Sequence, residues 1–133
     1  MNAHDQFLVA ASILCVGIVT LVVCLPLAYR KVPMNRFYGI RIPQSFVSDD
    51  RWYDINAYGG RLLARWSGLI MVTGGVGFLV PLRFSQAYAI TAAALVLISV
   101  FAPLVQIVRW ARATARPNQT MQLTATRREN HFS

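Results

Sequence analysis

Apolar residues are concentrated in three stretches that contain no Asp, Glu, Lys or Arg: residues 6–29, 66–82 and 84–108. A helix rises about 1.5 Å per residue, so crossing the hydrocarbon core takes about 20 apolar residues, with a working range of about 17 to 25. The first and third stretches, of 24 and 25 residues, satisfy that requirement directly. The second, of 17 residues, is at the lower limit and contains Gly68, Gly74, Gly75 and Gly77. Leu62, Leu63 and Ala64 extend it, with Arg61 and Arg65 reaching to the headgroup layer. The pattern predicts an all-α integral membrane protein with three transmembrane helices, over about 6–29, 62–82 and 84–108.

The segment between the first two spans, residues 30–61, has two parts. Pro33 and Pro43 bracket the first and exclude a regular helix through it. Within it Asn35 can set a turn through its own backbone, and Gly39 can take a conformation other residues avoid. Phe37, Tyr38, Ile40 and Ile42 lie among Arg36 and Arg41, a mixture suited to the headgroup layer. The second part reads as a helix capped by Ser48, with Asp49 and Asp50 in its first turn. Trp52, Ile55, Gly59, Leu62, Trp66 and Leu69 recur at alternating three and four, and Arg51, Asp54, Tyr58, Arg61 and Arg65 form a second stripe. That predicts an amphipathic helix lying along the cytoplasmic interface and running into the second span. Gly60, Ala64 and Gly68, at intervals of four, predict a face where the first span crosses closely. Asn56 lies near the apolar face and needs a polar partner, which the Asn35–Arg41 loop can supply.

The distribution of charge orients these elements. Of 13 basic residues, seven fall between Arg30 and Arg65 and five follow the third span, leaving only Arg83 in the turn between spans two and three. Basic loops stay cytoplasmic, so the amino terminus and the Arg83 turn are expected outside and the long loop and carboxyl terminus inside. A cleavable signal places its positive charge before the apolar run, whereas Arg30 and Lys31 follow it, so the first span is expected to remain as an anchor. The same order accounts for the net charge of +8 through anionic lipid headgroups on the cytoplasmic side, without nucleic acid.

Composition agrees with this assignment. The chain has 133 residues, 56% hydrophobic and only 14% charged, with a mean hydropathy of +0.46. A soluble domain carries about 25% charged residues, and one core of this size could not enclose so much apolar surface. Residues 1–116 form one membrane domain in this reading. From Pro117 the sequence becomes polar and aperiodic, which predicts a disordered cytoplasmic tail over 117–133. The glycosylation pattern Asn118-Gln119-Thr120 lies on the cytoplasmic side and is expected to be empty.

Candidate chemistry is sparse. Adjacent side chains on a helix do not face each other, so Asp49 and Asp50 are helix-start residues rather than a catalytic pair. His4 and His131 stand at opposite ends, and Cys15 and Cys24, nine residues apart on one helix, are too distant for a disulfide. No catalytic residue, metal site or cofactor is predicted. No charged residue lies deep in a span, so a proton relay has no candidates either.

Pro33, Asn35, Tyr38-Gly39, Arg41, Trp52, Asn56, Gly60 and Gly68 occur in an order that resembles the SdpI-like membrane proteins of bacteria. In that family a span ends in a Pro-Asn loop with a Gly-x-Arg step, and a Trp-x-x-x-Asn-x-x-x-Gly helix feeds a glycine-rich span. The resemblance covers roughly residues 25–82. It implies a multi-pass protein of the bacterial cytoplasmic (inner) membrane that is not an enzyme. It also implies toxin immunity or membrane-based signalling through partner binding, with a peptide toxin or a regulatory protein as the partner. The alternative from a different class is a small oligomeric transporter or channel subunit, assembled through the glycine-lined second span.

Overall fold

The computed structural model describes the backbone of residues 2–129 and the side chains of residues 2–115. Among the described residues there are three long helices and no strand: α1 (Ala3–Ala28), α2 (Asp49–Gly77) and α3 (Ser85–Glu129). Short 3₁₀ turns at Pro43–Phe46 and Leu82–Phe84 precede α2 and α3. Helix α3 thus continues past the expected span end at 108 and through residues 117–129 of the expected disordered tail, whose side chains are not described, while 130–133 lie outside the described residues.

Helix α1 begins earlier than the apolar stretch because the Asp5 carboxylate accepts the Asn2 backbone N–H at 3.1 Å. At its other end Arg30 takes a left-handed conformation, φ 57°. The Arg30 N–H donates to the Leu27 carbonyl at 3.1 Å and the Lys31 N–H to the Pro26 carbonyl at 3.0 Å. This is the Schellman pairing that commonly ends a helix, with arginine in the place usually held by glycine. The Arg30 guanidinium bonds Asp54 at 2.7 Å, which ties the end of α1 to the first turns of α2.

Helix α2 is one continuous helix of 29 residues, running without a break from its cap into the second apolar stretch as the periodicity expects. Ser48 caps it as predicted, its hydroxyl accepting the Arg51 N–H at 3.2 Å. The predicted apolar stripe does not lie free along an interface. Trp52, Ile55 and Gly59 are buried against protein, Leu62 and Trp66 half-buried, and only Leu69 is open. Ile55 packs with Ile107 and Ala111 of α3, flanked by Ile40, Ile42, Tyr58 and Trp110. The Tyr58 and Trp110 rings stack with centroids 4.4 Å apart. The helix ends at Gly77, short of the expected Leu82, where Phe78 and Leu79 close the last turn and Pro81 cannot continue it.

Helices α1 and α2 form a closely packed antiparallel pair, while α3 packs on α2 and touches α1 only slightly. The register is read from the glycines. A Cβ on Gly60 would stand 2.6 Å from the Ala28 nitrogen, one on Gly17 2.6 Å from Met71 Cγ, and one on Gly74 2.5 Å from the Leu14 nitrogen. At the far end Gln6 donates to the carbonyls of Gly77 at 2.9 Å and Val80 at 2.6 Å. Where α1 and α3 diverge, Leu8, Val9 and Ile13 face Ala89, Ala93 and Leu97 across an open apolar groove.

The expectation for Gly68 is overturned: nothing lies within 4 Å of where its Cβ would stand. Gly60 and Gly74, the glycines of α2 that meet α1 backbone, are fourteen residues apart, a multiple of seven, with buried Ser67 midway between them. Four residues advance about 40° beyond a full turn, so two such steps carry Gly68 about 80° away from Gly60. Seven residues return to within about 20° and hold the same neighbour.

Two helices, Ala3–Ala28 and the segment Leu82–Ala115, are long and apolar enough to cross a membrane. Only 17% and 22% of their most apolar stretches are buried, so these are not core helices enclosed by protein. Helix α2 falls outside that class because its first half carries the Arg51–Arg65 charges.

Candidate functional site

The residues singled out in the sequence converge on the connection between α1 and α2. Asn35 organises its first half. Its Oδ1 accepts the backbone N–H groups of Phe37 at 2.9 Å and Tyr38 at 2.7 Å, and its Nδ2 donates to the Pro33 carbonyl at 2.8 Å. One side chain thereby replaces the hydrogen bonds that a regular element would have supplied.

Gly39 follows with φ 123°, a conformation that a side chain would strain. A Cβ here would also stand 2.6 Å from Asn56 Oδ1 and 3.0 Å from the Trp52 ring. That close approach lets Asn56, 2% exposed on α2, accept the Ile40 N–H at 2.6 Å. Asn56 Nδ2 donates to the Trp52 carbonyl at 2.9 Å, so both ends of the buried amide are paired. Trp52 is fully buried, its indole N–H donating to the Val32 carbonyl at 3.0 Å and its ring 5.4 Å from that of Phe46. The Tyr38 hydroxyl donates to the Val23 carbonyl on α1. Burial, with a smaller contribution from Cys24, raises the Tyr38 phenol above its ordinary value, so it remains a donor at neutral pH.

The sequence-predicted residues therefore divide. Pro33, Asn35, Tyr38, Gly39, Trp52 and Asn56 form one connected cluster, with the predicted contact between Asn56 and the loop made to the Ile40 backbone. Gly60 is one turn along α2, against α1, and Gly68 two turns beyond that in open space. Arg41 is exposed, and no hydrogen bond engages it among the described residues. The aromatic and aliphatic residues expected to share the headgroup layer separate: Tyr38, Ile40 and Ile42 turn inward, while Phe37 stands 95% exposed beside the exposed Arg36.

Spacing did not reveal the role of Arg51, which bonds the Ala111 carbonyl at 3.0 Å and Thr114 Oγ1 at 3.1 Å and so fastens α2 to α3. It did not reveal the Val32 carbonyl either, since a backbone acceptor leaves no compositional trace. The cluster is held by amide, indole and phenol hydrogen bonds, with no nucleophile, acid pair or metal-ligand group among the described residues that form it. Such an arrangement fixes a loop shape and presents Arg36, Phe37 and Arg41 outward.

No curated protein and no solved structure matches the chain at a significant level. A family model does: that of the SdpI/YfhL protein family matches residues 31–106, from the start of the loop through α2 into α3, more than half of the sequence. The match begins where the loop cluster begins and takes in every residue of it, as well as Gly60 and Gly68. The chain belongs to the SdpI/YfhL protein family.

Proposed function

We propose that this chain is a three-span, non-catalytic module of the bacterial cytoplasmic membrane that acts by binding a partner through its α1–α2 loop, in immunity to a peptide toxin or in membrane signalling. Family membership supports the membrane setting and the immunity-type role. The antiparallel register supports the third span. Residues 60–77 of α2 lie alongside residues 28–10 of α1, so a membrane deep enough to hold α1 also holds that half of α2. The ridge of basic residues between Arg30 and Arg65 then lies on one side with the end of α3, in keeping with a cytoplasmic loop.

The observation that carries the binding role is the contrast within the loop. Its inner face is pinned by Asn35, Asn56 and Trp52, while Phe37 projects at 95% exposure between exposed Arg36 and Arg41. A rigid backbone lowers the entropy cost of recognition, and an aromatic anchor flanked by arginines is a common composition for interface centres.

The test is capture of tagged full-length protein from native membranes, read by mass spectrometry beside the Phe37→Ser/Arg41→Gln double variant. Both positions are exposed, so the variant is expected to fold. A regulatory protein or peptide retained by the wild type and lost from the variant is the expected result. Identical partners for the two proteins would remove the loop from the function.

A further inference from the structure

A cleft of about 320 Å³ opens where the end of α1 meets the middle of α2, lined by Leu25, Ala28, Tyr29, Arg61, Ala64 and Arg65. We propose that it binds one anionic phospholipid, with Arg61 and Arg65 on the phosphate and the glycerol and first acyl carbons on Leu25, Ala28 and Ala64. This assignment rests on the membrane placement proposed above and is separate from the loop that presents Phe37.

Arg61 and Arg65 are one helical turn apart on α2, both exposed, and neither takes part in a hydrogen bond or ion pair among the described residues. Two like charges at that spacing repel each other unless an anion lies between them. No carboxylate lines the cleft, and the one ion pair among the described residues joins Asp54 to Arg30 instead. Each guanidinium presents donors in a planar fork that matches a phosphate, so the pair can grip two faces of one headgroup.

The rest of the cleft selects a lipid over a free anion. Its floor is aliphatic, and Tyr29 stands 69% exposed at the rim, where an aromatic side chain with a polar tip suits the headgroup layer. One turn beyond Ala64 along α2, Gly68 leaves open space where every larger residue would have placed a side chain. An acyl chain descending from the cleft would run over that bare stretch. Inorganic phosphate would use the arginines and leave the aliphatic floor and the Gly68 space empty.

The experiment uses the full-length protein. Insertion into neutral phosphatidylcholine vesicles is measured first by flotation. Failure to insert overturns the membrane placement and this site with it, whereas insertion without lipid preference overturns only the site. The protein is then extracted in mild detergent and titrated with phosphatidylglycerol or phosphatidylcholine, with bound lipid counted by native mass spectrometry. One phosphatidylglycerol is expected to be retained on the order of tenfold more tightly than phosphatidylcholine, from two basic contacts. Arg61→Gln/Arg65→Gln is expected to abolish the preference. Ala64→Trp, which fills the cleft and keeps both charges, is expected to abolish it as well. Arg109→Gln/Arg112→Gln, which removes two exposed charges of α3 outside the cleft, is expected to keep it. An equal loss in the α3 variant would show diffuse attraction to the surface and overturn the site. Displacement of the lipid by equimolar inorganic phosphate would overturn its assignment to a lipid.

Discussion

Asn56 Oδ1 accepts the backbone N–H of Ile40 at 2.6 Å, joining the first half of α2 to a loop sixteen residues earlier. The side chain is 2% exposed and its Nδ2 is engaged by the Trp52 carbonyl, so no water can replace it without opening the cluster. Asn56→Leu would leave the part-buried Ile40 N–H without its partner, a cost of about 1 kcal/mol, toward the low end for such a loss. Thermal unfolding in detergent should show that loss. An Asn56→Leu protein as stable as the wild type would mean that the loop is held by Trp52 and Tyr38 alone.

The contrast between Gly60 and Gly68 is testable by the same measurement. Gly60→Leu would force its side chain against the Ala28 nitrogen and the Cys24 carbonyl, backbone atoms that cannot move independently, and overpacking of this kind costs about 1–3 kcal/mol. Gly68→Leu meets nothing within 4 Å and should leave the melting temperature nearly unchanged. Equal losses at the two positions would place a further helix over Gly68.

Gln6 closes the other end of the α1–α2 pair. Its Nε2 donates to the carbonyls of Gly77, the last residue of α2, and of Val80 in the turn beyond, while its Oε1 is buried without a partner among the described residues. Gln6→Glu keeps the size but aims carboxylate oxygens at those carbonyls, whereas Gln6→Leu merely leaves the carbonyls unpaired. The glutamate variant should therefore be the less stable of the two, with the leucine variant losing about 1–3 kcal/mol. The reverse order would show that this end of the pair is open to water.

The proposed topology rests on charge and register together. Reporter fusions at Ser48 and after Ser133 should read as cytoplasmic, and one at Ser85 as external. A cytoplasmic Ser85 would mean that the second half of α2 does not cross with α1.

Much of the loop cluster is legible in the residues themselves because its bonds are local. Asn35 bonds its own backbone two and three residues on, Gly39 marks a conformation closed to other residues, and Ser48 caps the helix that follows it. These depend on chain geometry over a few residues, which spacing and side-chain type describe well. The need of Asn56 for a partner is equally legible, since an unpaired amide at an apolar position is costly. That Ile40 supplies the partner required the folded loop.

The sequence by itself placed α1 and the start of α3, because an uninterrupted apolar stretch of spanning length needs no neighbour to explain it. It also determined the turn at Asn35 and the cap at Ser48, which arise from contacts within three residues. Only the tertiary structure decided that the apolar stripe of α2 covers α3 and the loop, and that α1 faces Gly60 and Gly74 rather than Gly68. A stripe of small residues states that a helix could approach, but the face that is met depends on how two helices cross. A crossing that follows intervals of seven leaves behind a stripe spaced at four, because each step of four turns the residue about 40° further round the axis.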